Sequence, residues 1–153
     1  MKNHMFREAM GKFATGITVV TTEHNNEIHG MTVNALMSIS LEPKLIAISI
    51  DEKASLHKLL QETNQFGVSI LQDNQKELSM VFAKQKEMVD EVEYDYIDTI
   101  PVLKQSLVTM ACKVQSSVTA GDHMIFIAEV TSLDINEGSP ILYYGGQYNT
   151  LSN

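Results

Sequence analysis

Cysteine, arginine and tryptophan are scarce or missing in this sequence. Cys112 is the single cysteine among 153 residues, and tryptophan does not occur. One cysteine excludes an internal disulfide and a thiolate metal cage. Arg7 is the single arginine, and 11 Lys plus Arg face 19 Asp plus Glu for a formal net charge of -8. Because nonspecific nucleic-acid binding needs clustered cations, we expect no nucleic-acid partner.

Long apolar runs are missing as well. No run approaches the roughly 18 residues of a membrane-spanning helix, so we expect no membrane association. The opening segment MKNHMFREAM has neither an apolar h-region nor a small-residue cleavage site, so we expect no secretory signal. Together with the single cysteine, these absences predict a reducing, cytoplasmic location.

The composition that remains is that of an ordinary globular domain. Hydrophobic residues make up 44% of the chain and charged residues 20%, which is far from the composition of disordered chains. No internal repeat, low-complexity stretch or Gly/Ser linker divides the sequence. We therefore expect one domain over residues 1–153.

Alternating and β-branched segments predict a mainly β protein. The helical spacing of apolar residues and the N-cap candidates Ser55 and Asn74, the latter with Glu77 as a capping box, predict three short helices. The helices are expected over 3–13, 55–62 and 74–83, and the strands over 14–22, 31–40, 44–51, 66–71, 107–118, 124–135 and 140–148. The acidic stretch 87–98 is expected to be a solvated loop. This pattern predicts an antiparallel barrel with helical covers.

Several kinds of chemistry have no support in the sequence. The five histidines show no metal-ligand spacing, no Gly-x-Ser-x-Gly elbow indicates a serine hydrolase, and no Gly-x-Gly-x-x-Gly follows a strand. Cys112 lies within a predicted strand, where a buried and inert thiol is favoured over a nucleophile. His123, in a predicted turn, and Tyr148, near the C-terminus, are not marked as catalytic by spacing alone.

Two groups of small polar residues are candidates for a ligand site. Thr32, Asn34, Ser38 and Ser40 share one face of the strand predicted over 31–40. They are either the solvent side of an edge strand or a surface for a flat polar ligand or a phosphate. The second group, Ser49, Asp51, Lys53 and Ser55, lies where a strand meets a helix. The N–H groups of a helix N-terminus and the charge of Lys53 suit an anion there, whereas the alternatives are a simple cap and a solvated lysine.

Taken in order, the segments resemble one known family. Residues 13–22 read FATGITVVTT and residues 30–35 read GMTVNA, followed by Ser38, Ser40, a proline at position 43 and the serines at 49 and 55. Further matches follow at Phe82-Ala83, at residues 101–103 (PVL), at residues 120–123 (AGDH) and at residues 140–144 (PILYY). This order is similar to that of the short-chain flavin reductases, the FMN-binding split-barrel proteins that include reductase components of two-component flavin monooxygenases.

The resemblance implies a fold, an activity and a set of site residues. It implies a six-stranded antiparallel split β-barrel with short covering helices, a homodimer, and NAD(P)H-dependent reduction of FMN or FAD, with a monooxygenase as a possible recipient of reduced flavin. His123 is implied on the nicotinamide side as the catalytic residue. The implied cofactor-binding residues are Thr32, Val33, Asn34, Ala35, Ser38, Ser40, Ser49, Lys53, Ser55, Phe82, Ala83, His123 and Tyr148.

Two other functions stay open at this point. In one, FMN remains bound as a prosthetic group and a protein partner reduces it, with the acidic stretch 87–98 as the docking surface. In the other, a split barrel without ligand has a structural role. Hydride transfer between a nicotinamide and a flavin depends mainly on positioning, so the enzyme reading requires no protein nucleophile or strong base.

Overall fold

The structure, a computed structural model, describes residues 1–88 and 90–152. It is mainly β with a few short helices, as the sequence predicts. In chain order the elements are α1 (Asn3–Gly11), β1 (Thr15–Gly16), β2 (Thr18–His24), β3 (Glu27–Val33), β4 (Leu36–Ser40), β5 (Leu45–Asp51), α2 (Ser55–Thr63), β6 (Gln65–Ile70), a 3₁₀ turn (Asp73–Gln75), α3 (Lys76–Phe82), β7 (Tyr94–Ile97), β8 (Ile100–Leu103), β9 (Val108–Ala120), β10 (His123–Ile135), β11 (Ile141–Tyr144) and β12 (Gln147–Thr150). Within the described residues, no helix is both long and apolar enough to cross a membrane.

Within residues 1–88 and 90–152, the strands form three hydrogen-bonded sheets. The largest has seven strands in the order β3-β2-β6-β9-β10-β5-β4, a second has the order β1-β11-β12, and β7 pairs with β8. Neighbouring strands are antiparallel throughout these pairings. Across residues 1–88 and 90–152 these sheets are open and do not form a closed barrel, and their strand count differs from that of the expected six-stranded split barrel.

The two edges of the large sheet are joined directly by the chain. β3 and β4 are the edge strands, and only Asn34 and Ala35 separate them in sequence. Because two residues span only a few ångströms, the sheet curls until its edges approach at this point. Helix α2 contacts β2, β3, β5 and β6, so its buried side packs against strands from both halves of the curled sheet. The open sheet is therefore rolled, without a hydrogen-bond ladder across the gap.

The single strand expected over 31–40 is wrong. The strand stops at Val33, and after Asn34 and Ala35 the chain starts β4 at Leu36, whose N–H donates to the Asn34 carbonyl at 3.1 Å. A continuous strand could not cross from one edge of the sheet to the other. A register shift between Ser38 and Ser40 interrupts the alternation a second time. One shared face from residue 32 to residue 40 therefore does not exist.

The hydrophobic core explains why α2 packs on the sheet. Leu56 and Leu60, one helical turn apart, are buried in the same core cluster as Phe66 and Phe126. Full burial of one such leucine contributes about 1.5–3 kcal/mol. The helix begins at Ser55 with Ala54 as its N-cap, so the expectation that Ser55 itself is the N-cap is wrong by one residue.

A second correction concerns the acidic stretch and its neighbourhood. Residues 94–97 form β7, which pairs with the buried strand β8 as a hairpin, whereas a loop was expected over 87–98. Asp98 and Thr99 both have positive φ, as a tight hairpin turn requires. Residues 87–88 and 90–93 have no helix or strand, as expected, and Val89 lies outside the described residues. The capping box before α3 uses Gln72 and Gln75, not Asn74 and Glu77.

Gly67 allows β6 to approach β8 closely, which gives a stability prediction. A Cβ at Gly67 would clash with the Pro101 carbonyl oxygen, and it would lie only 2.8 Å from Val102 Cγ1. We expect Gly67→Ala to lower the free energy of unfolding by about 2–3 kcal/mol, because main chain must move to accept the methyl group. The measurement is denaturant unfolding followed by circular dichroism.

Gly16 provides the matched control for this change. A Cβ at Gly16 meets no atom within 4 Å, so Gly16→Ala should shift the free energy of unfolding by no more than about 0.5 kcal/mol. Equal stability of the Gly67 variant and the wild type would show that the β6–β8 contact is not as tight as described.

Candidate functional site

Three adjoining clefts form one groove along β3. The helix cleft, about 320 Å³, lies between β3, the start of α2 and the end of α3. The tyrosine cleft, about 140 Å³, is lined by Tyr143 and Tyr148. The strand cleft, about 370 Å³, lies between α1, β4 and β5. Thr32 and Ala83 line both of the first two, and Asn34 lines the second and the third, so each cleft adjoins the next.

The helix cleft has the chemistry of an anion site. Lys53 lines it from the turn before α2 and Ser55 from the first position of α2, and Lys84 lines it together with Phe82 and Ala83. The N–H of Lys53 donates to Asp51 Oδ1 at 2.9 Å, which fixes the turn. The first N–H groups of α2 have no partner within the helix and carry a partial positive charge. Two lysines and a helix N-terminus therefore offset locally the net negative charge of the chain.

The tyrosine cleft is built around side chains that hydrogen-bond to one another. Thr32 Oγ1 donates to the Ser79 carbonyl at 2.6 Å, and Ser79 Oγ shares a hydrogen bond of 2.9 Å with the Tyr148 hydroxyl. The Tyr148 ring packs edge-on against Tyr143, with centroids 5.5 Å apart, and Lys76 Nζ lies 5.4 Å from its centroid. These contacts hold Tyr148 as one wall of the groove.

The strand cleft is mainly apolar with a few polar groups. Asn34, Ala35 and Ser49 line it, and the Ser49 N–H donates to the Ala35 carbonyl at 3.2 Å. The remaining lining side chains are apolar or small: Met10, Phe13, Thr15, Leu36, Met37, Ala47, Ile48 and Ile125. A broad apolar surface with a few polar groups at its edge suits a flat heterocyclic ring.

Four of the expected site residues line none of the three clefts. The Val33 side chain is buried in the main core, and its carbonyl accepts a hydrogen bond of 2.6 Å from Thr18 Oγ1. Ser38 and Ser40 pair with β5 and line none of the three clefts. The sequence pattern placed them with Thr32 because it did not reveal the break at residues 34–35. His123 also lies outside the three clefts.

His123 lies at the turn that packs beside the start of the helix cleft. It pairs with Asp51 across β10 and β5, and the Asp122 carbonyl accepts a hydrogen bond of 3.0 Å from the Glu52 N–H. The His123 Nδ1 atom lies 2.8 Å from Asp122 Oδ1. This hydrogen bond lowers the pKa of the Asp122 carboxyl below its usual value. The imidazole is thus tethered through one nitrogen while its ring remains partly exposed.

Neither a thiol nucleophile nor a metal cluster accompanies the groove. Cys112 is fully buried, and burial raises the pKa of its thiol to about 12, so the predicted inert thiol is confirmed. Among residues 1–88 and 90–152, no group of three or more His, Cys, Asp and Glu side chains could hold a metal ion.

Some lining residues of the groove were not predicted from the sequence. Among them are Lys84, Ser79 and Gln85, which line the helix and tyrosine clefts. A polar residue on the buried face of a helix is one signal that could have revealed Ser79, because Gln75 and Ser79 are four residues apart and both buried. Lys84 and Gln85 follow Phe82-Ala83 directly, but their direction depends on the positive φ of Lys84.

Fold and groove together define a class of protein. It is an antiparallel β protein with an elongated groove that offers cations at one end, an apolar floor at the other and small hydroxyl and amide groups between them. A flavin nucleotide has matching parts, since a phosphate, a polyol chain and a flat tricyclic ring follow one another along its length. The residues present therefore fit a flavin.

Comparison with known proteins establishes the family. Residues 10–152 match the family described as the flavin reductase like domain. The chain is 38% identical over 148 residues to an NADH-dependent flavin reductase from Rhodococcus, covering 95% of this chain and 84% of that protein. It is 33% identical over 147 residues to the reductase component of 4-hydroxyphenylacetate 3-monooxygenase from Thermus thermophilus, covering 95% of each chain.

Solved structures agree with this assignment. The flavin reductase PheA2 in its native state superposes with a TM-score of 0.97 at 47% identity, over 100% of both chains. The NADH:FAD oxidoreductase of Streptomyces globisporus, in complex with NAD and FAD fragments, gives a TM-score of 0.92 at 29% identity over 99% of this chain and 93% of that chain. The chain belongs to the flavin reductase family, and the resemblance found in the sequence is confirmed.

Proposed function

We propose that this enzyme transfers a hydride from NADH to FMN or FAD taken up as a free substrate, and supplies reduced flavin to a partner monooxygenase. The observation that carries the proposal is the row of three adjoining clefts, with Lys53 and Lys84 at one end and the apolar strand cleft at the other. Relatives named NADH-dependent flavin reductases and monooxygenase reductase components support the nicotinamide and the partner. A flavin, once bound, accepts the hydride at its ring system.

We assign different residues along the groove to different parts of the flavin. We assign the phosphate to Lys53, Ser55, Lys84 and the first N–H groups of α2, with the Phe82–Ala83 segment as the facing wall. We assign the polyol chain to Thr32 and Tyr148, and the ring to Asn34, Ala35 and Ser49. Because the chemistry is hydride transfer, catalysis by this chain consists of holding the ring in a water-poor cleft in one orientation.

A homodimer would complete the strand cleft. Helix α1 has no buried residue, and Met5, Phe6, Met10 and Phe13 are exposed along it and just after it. Met10 and Phe13 also line the strand cleft, so a second copy seated on this apolar face would cover the ring site. Contact of Ser38, Ser40 and Val33 with the ligand, a single domain over 1–153 and a cytoplasmic location stay predictions.

The direct test is anaerobic reduction of FMN and FAD with NADH and with NADPH. We expect loss of the visible flavin absorbance with NADH, and protein that is nearly colourless after gel filtration, because a substrate flavin binds with about micromolar affinity. Failure with both nucleotides and both flavins would overturn the proposal. Yellow protein that is inert to both nucleotides would support the electron-transfer module instead.

The role proposed for His123 gives a separate prediction. Its partly exposed ring is tethered to Asp122 beside the groove, which suits a contact with the nicotinamide side. We expect His123→Ala to raise the KM for NADH about fivefold to tenfold, since one hydrogen bond or ring contact is lost, while the Kd for FMN changes less than about twofold. Steady-state kinetics and fluorescence titration measure the two constants.

The matched control is His57→Ala, which changes a histidine on α2 whose ring neighbours Gln61. Unchanged NADH kinetics in the His123 variant would remove this residue from the site.

A further inference from the structure

Ser79 connects three elements of the groove although its own side chain is fully buried. Its carbonyl accepts hydrogen bonds from Thr32 Oγ1 at 2.6 Å and from the Ala83 N–H at 3.0 Å. Its hydroxyl shares a hydrogen bond of 2.9 Å with the Tyr148 hydroxyl. Thr32, Ala83 and Tyr148 are all lining residues of the tyrosine cleft, and they belong to β3, the end of α3 and β12.

Tyr148 depends on such a tether. It lies on β12, an edge strand of the small sheet, in a hairpin whose turn contains Gly145 and Gly146 at positive φ. Its neighbours Gln147 and Asn149 are exposed. The ring has a T-shaped contact with Tyr143 of the same hairpin. Two residues of α3 also hold it: Ser79 through the hydrogen bond to its hydroxyl, and Lys76, whose Nζ lies 5.4 Å from the ring centroid. Helix α3 in turn packs against β3.

We infer that Ser79 is a positioning residue that fixes the Tyr148 wall of the groove at the width required by the middle of the flavin. The inference rests on the proposed function. Removing the Ser79 hydroxyl leaves the cleft lined by the same groups but takes away the 2.9 Å hydrogen bond of the Tyr148 hydroxyl, whose other partner, Gln85 Oε1, lies at 3.5 Å. The ring is then held less firmly. Flavin binding then has to order that ring, which costs affinity and not the chemical step.

The experiment compares Ser79→Ala, Tyr148→Phe and the double variant. We expect each single variant to raise the KM and the Kd for FMN about threefold to tenfold, the effect of one lost hydrogen bond. The kcat at saturating substrates should stay within about twofold. Tyr148→Phe removes the hydrogen bond to Ser79 together with the contacts of the Tyr148 hydroxyl to Gln85 and to the polyol chain. Adding Ser79→Ala to Tyr148→Phe should therefore weaken FMN binding no further. Riboflavin should be affected as much as FMN, since the contact lies away from the phosphate end.

Ser69→Ala is the matched control for a purely structural effect. Ser69 is also fully buried, and its hydroxyl accepts a hydrogen bond of 2.9 Å from the Leu103 N–H, away from the groove. It should lower the melting temperature and leave the KM for FMN unchanged. The same result for Ser79→Ala, or additive effects of Ser79→Ala and Tyr148→Phe, would overturn the inference.

Two further outcomes, a Ser79 variant that does not fold and a wild type that reduces no flavin, can be told apart from a failure of the inference. If Ser79→Ala does not fold, Tyr148→Phe still tests the inference, because Tyr148 is the half-exposed partner in the same hydrogen bond. An unchanged KM for FMN in Tyr148→Phe contradicts the inference. If wild-type protein reduces no flavin, the proposed function fails, and the effects of the variants on flavin Kd decide about positioning independently of turnover.

Discussion

Lys53→Ala is expected to raise the KM for FMN by about tenfold to a hundredfold, the effect of losing a charge-assisted hydrogen bond to a phosphate. The same variant should reduce riboflavin, which lacks the phosphate, with wild-type KM and kcat. The reason is electrostatic. A chain with a net charge of -8 repels an anionic substrate, so the local cations of the helix cleft carry the attraction. The measurement is steady-state kinetics with each flavin at saturating NADH.

Lys58→Ala and Lys84→Ala complete this test. Lys58 is an exposed lysine on α2 that does not line the helix cleft, so its removal changes the net charge equally and should leave both KM values unchanged. Lys84→Ala should reproduce the effect of Lys53→Ala with FMN only. Equal losses with riboflavin and FMN would mean that Lys53 does not face the phosphate, and the assignment of the helix cleft would be wrong.

The combined variant Thr32→Ala, Asn34→Ala and Ser55→Ala is expected to weaken flavin binding more than any single change. Thr32, Asn34 and Ser55 between them line all three clefts. The lost hydrogen bonds should cost about 2–4 kcal/mol of binding free energy, or roughly a 30-fold to 1,000-fold rise in Kd. Quenching of flavin fluorescence on titration with protein measures the Kd directly.

A combined control tests whether the loss is specific to the groove. Gln61→Ala, Thr131→Ala and Ser132→Ala change three polar side chains that line none of the three clefts. This control should bind FMN with wild-type affinity and unfold at a similar temperature. If the groove variant binds FMN as tightly as the control while remaining folded, the flavin lies elsewhere on the protein.

Sequence patterns predicted the β elements well because local chemistry determines them. The β-branched run within residues 14–22 and the alternating segments that form β9 and β10 are strands in the structure. The crossing at Asn34 and Ala35 was not predicted, because it depends on the sheet curling until its two edges meet. The strand β7 was missed for a related reason, since its acidic sequence resembles a loop until it pairs with β8.

In the groove, too, the residues within sequence motifs were predicted, whereas a residue that depends on a long-range contact was not. Thr32, Asn34, Lys53, Ser55, Ala83 and Tyr148 were expected from a family-like order of motifs, and the structure places them in adjoining clefts. Ser79 was not expected, because its importance arises from a hydrogen bond to a residue 69 positions away in sequence. Pairings of this length are determined by how the small sheet docks on α3, which no local pattern encodes.

The most direct test of the account is to map FMN on isotope-labelled protein by the change in each amide resonance during titration. We expect the largest changes at the amides of residues 30–32, 34–35, 53–56 and 82–85 and at Tyr148, which together line the groove. Changes concentrated in residues 90–98, with the groove amides unaffected, would contradict it.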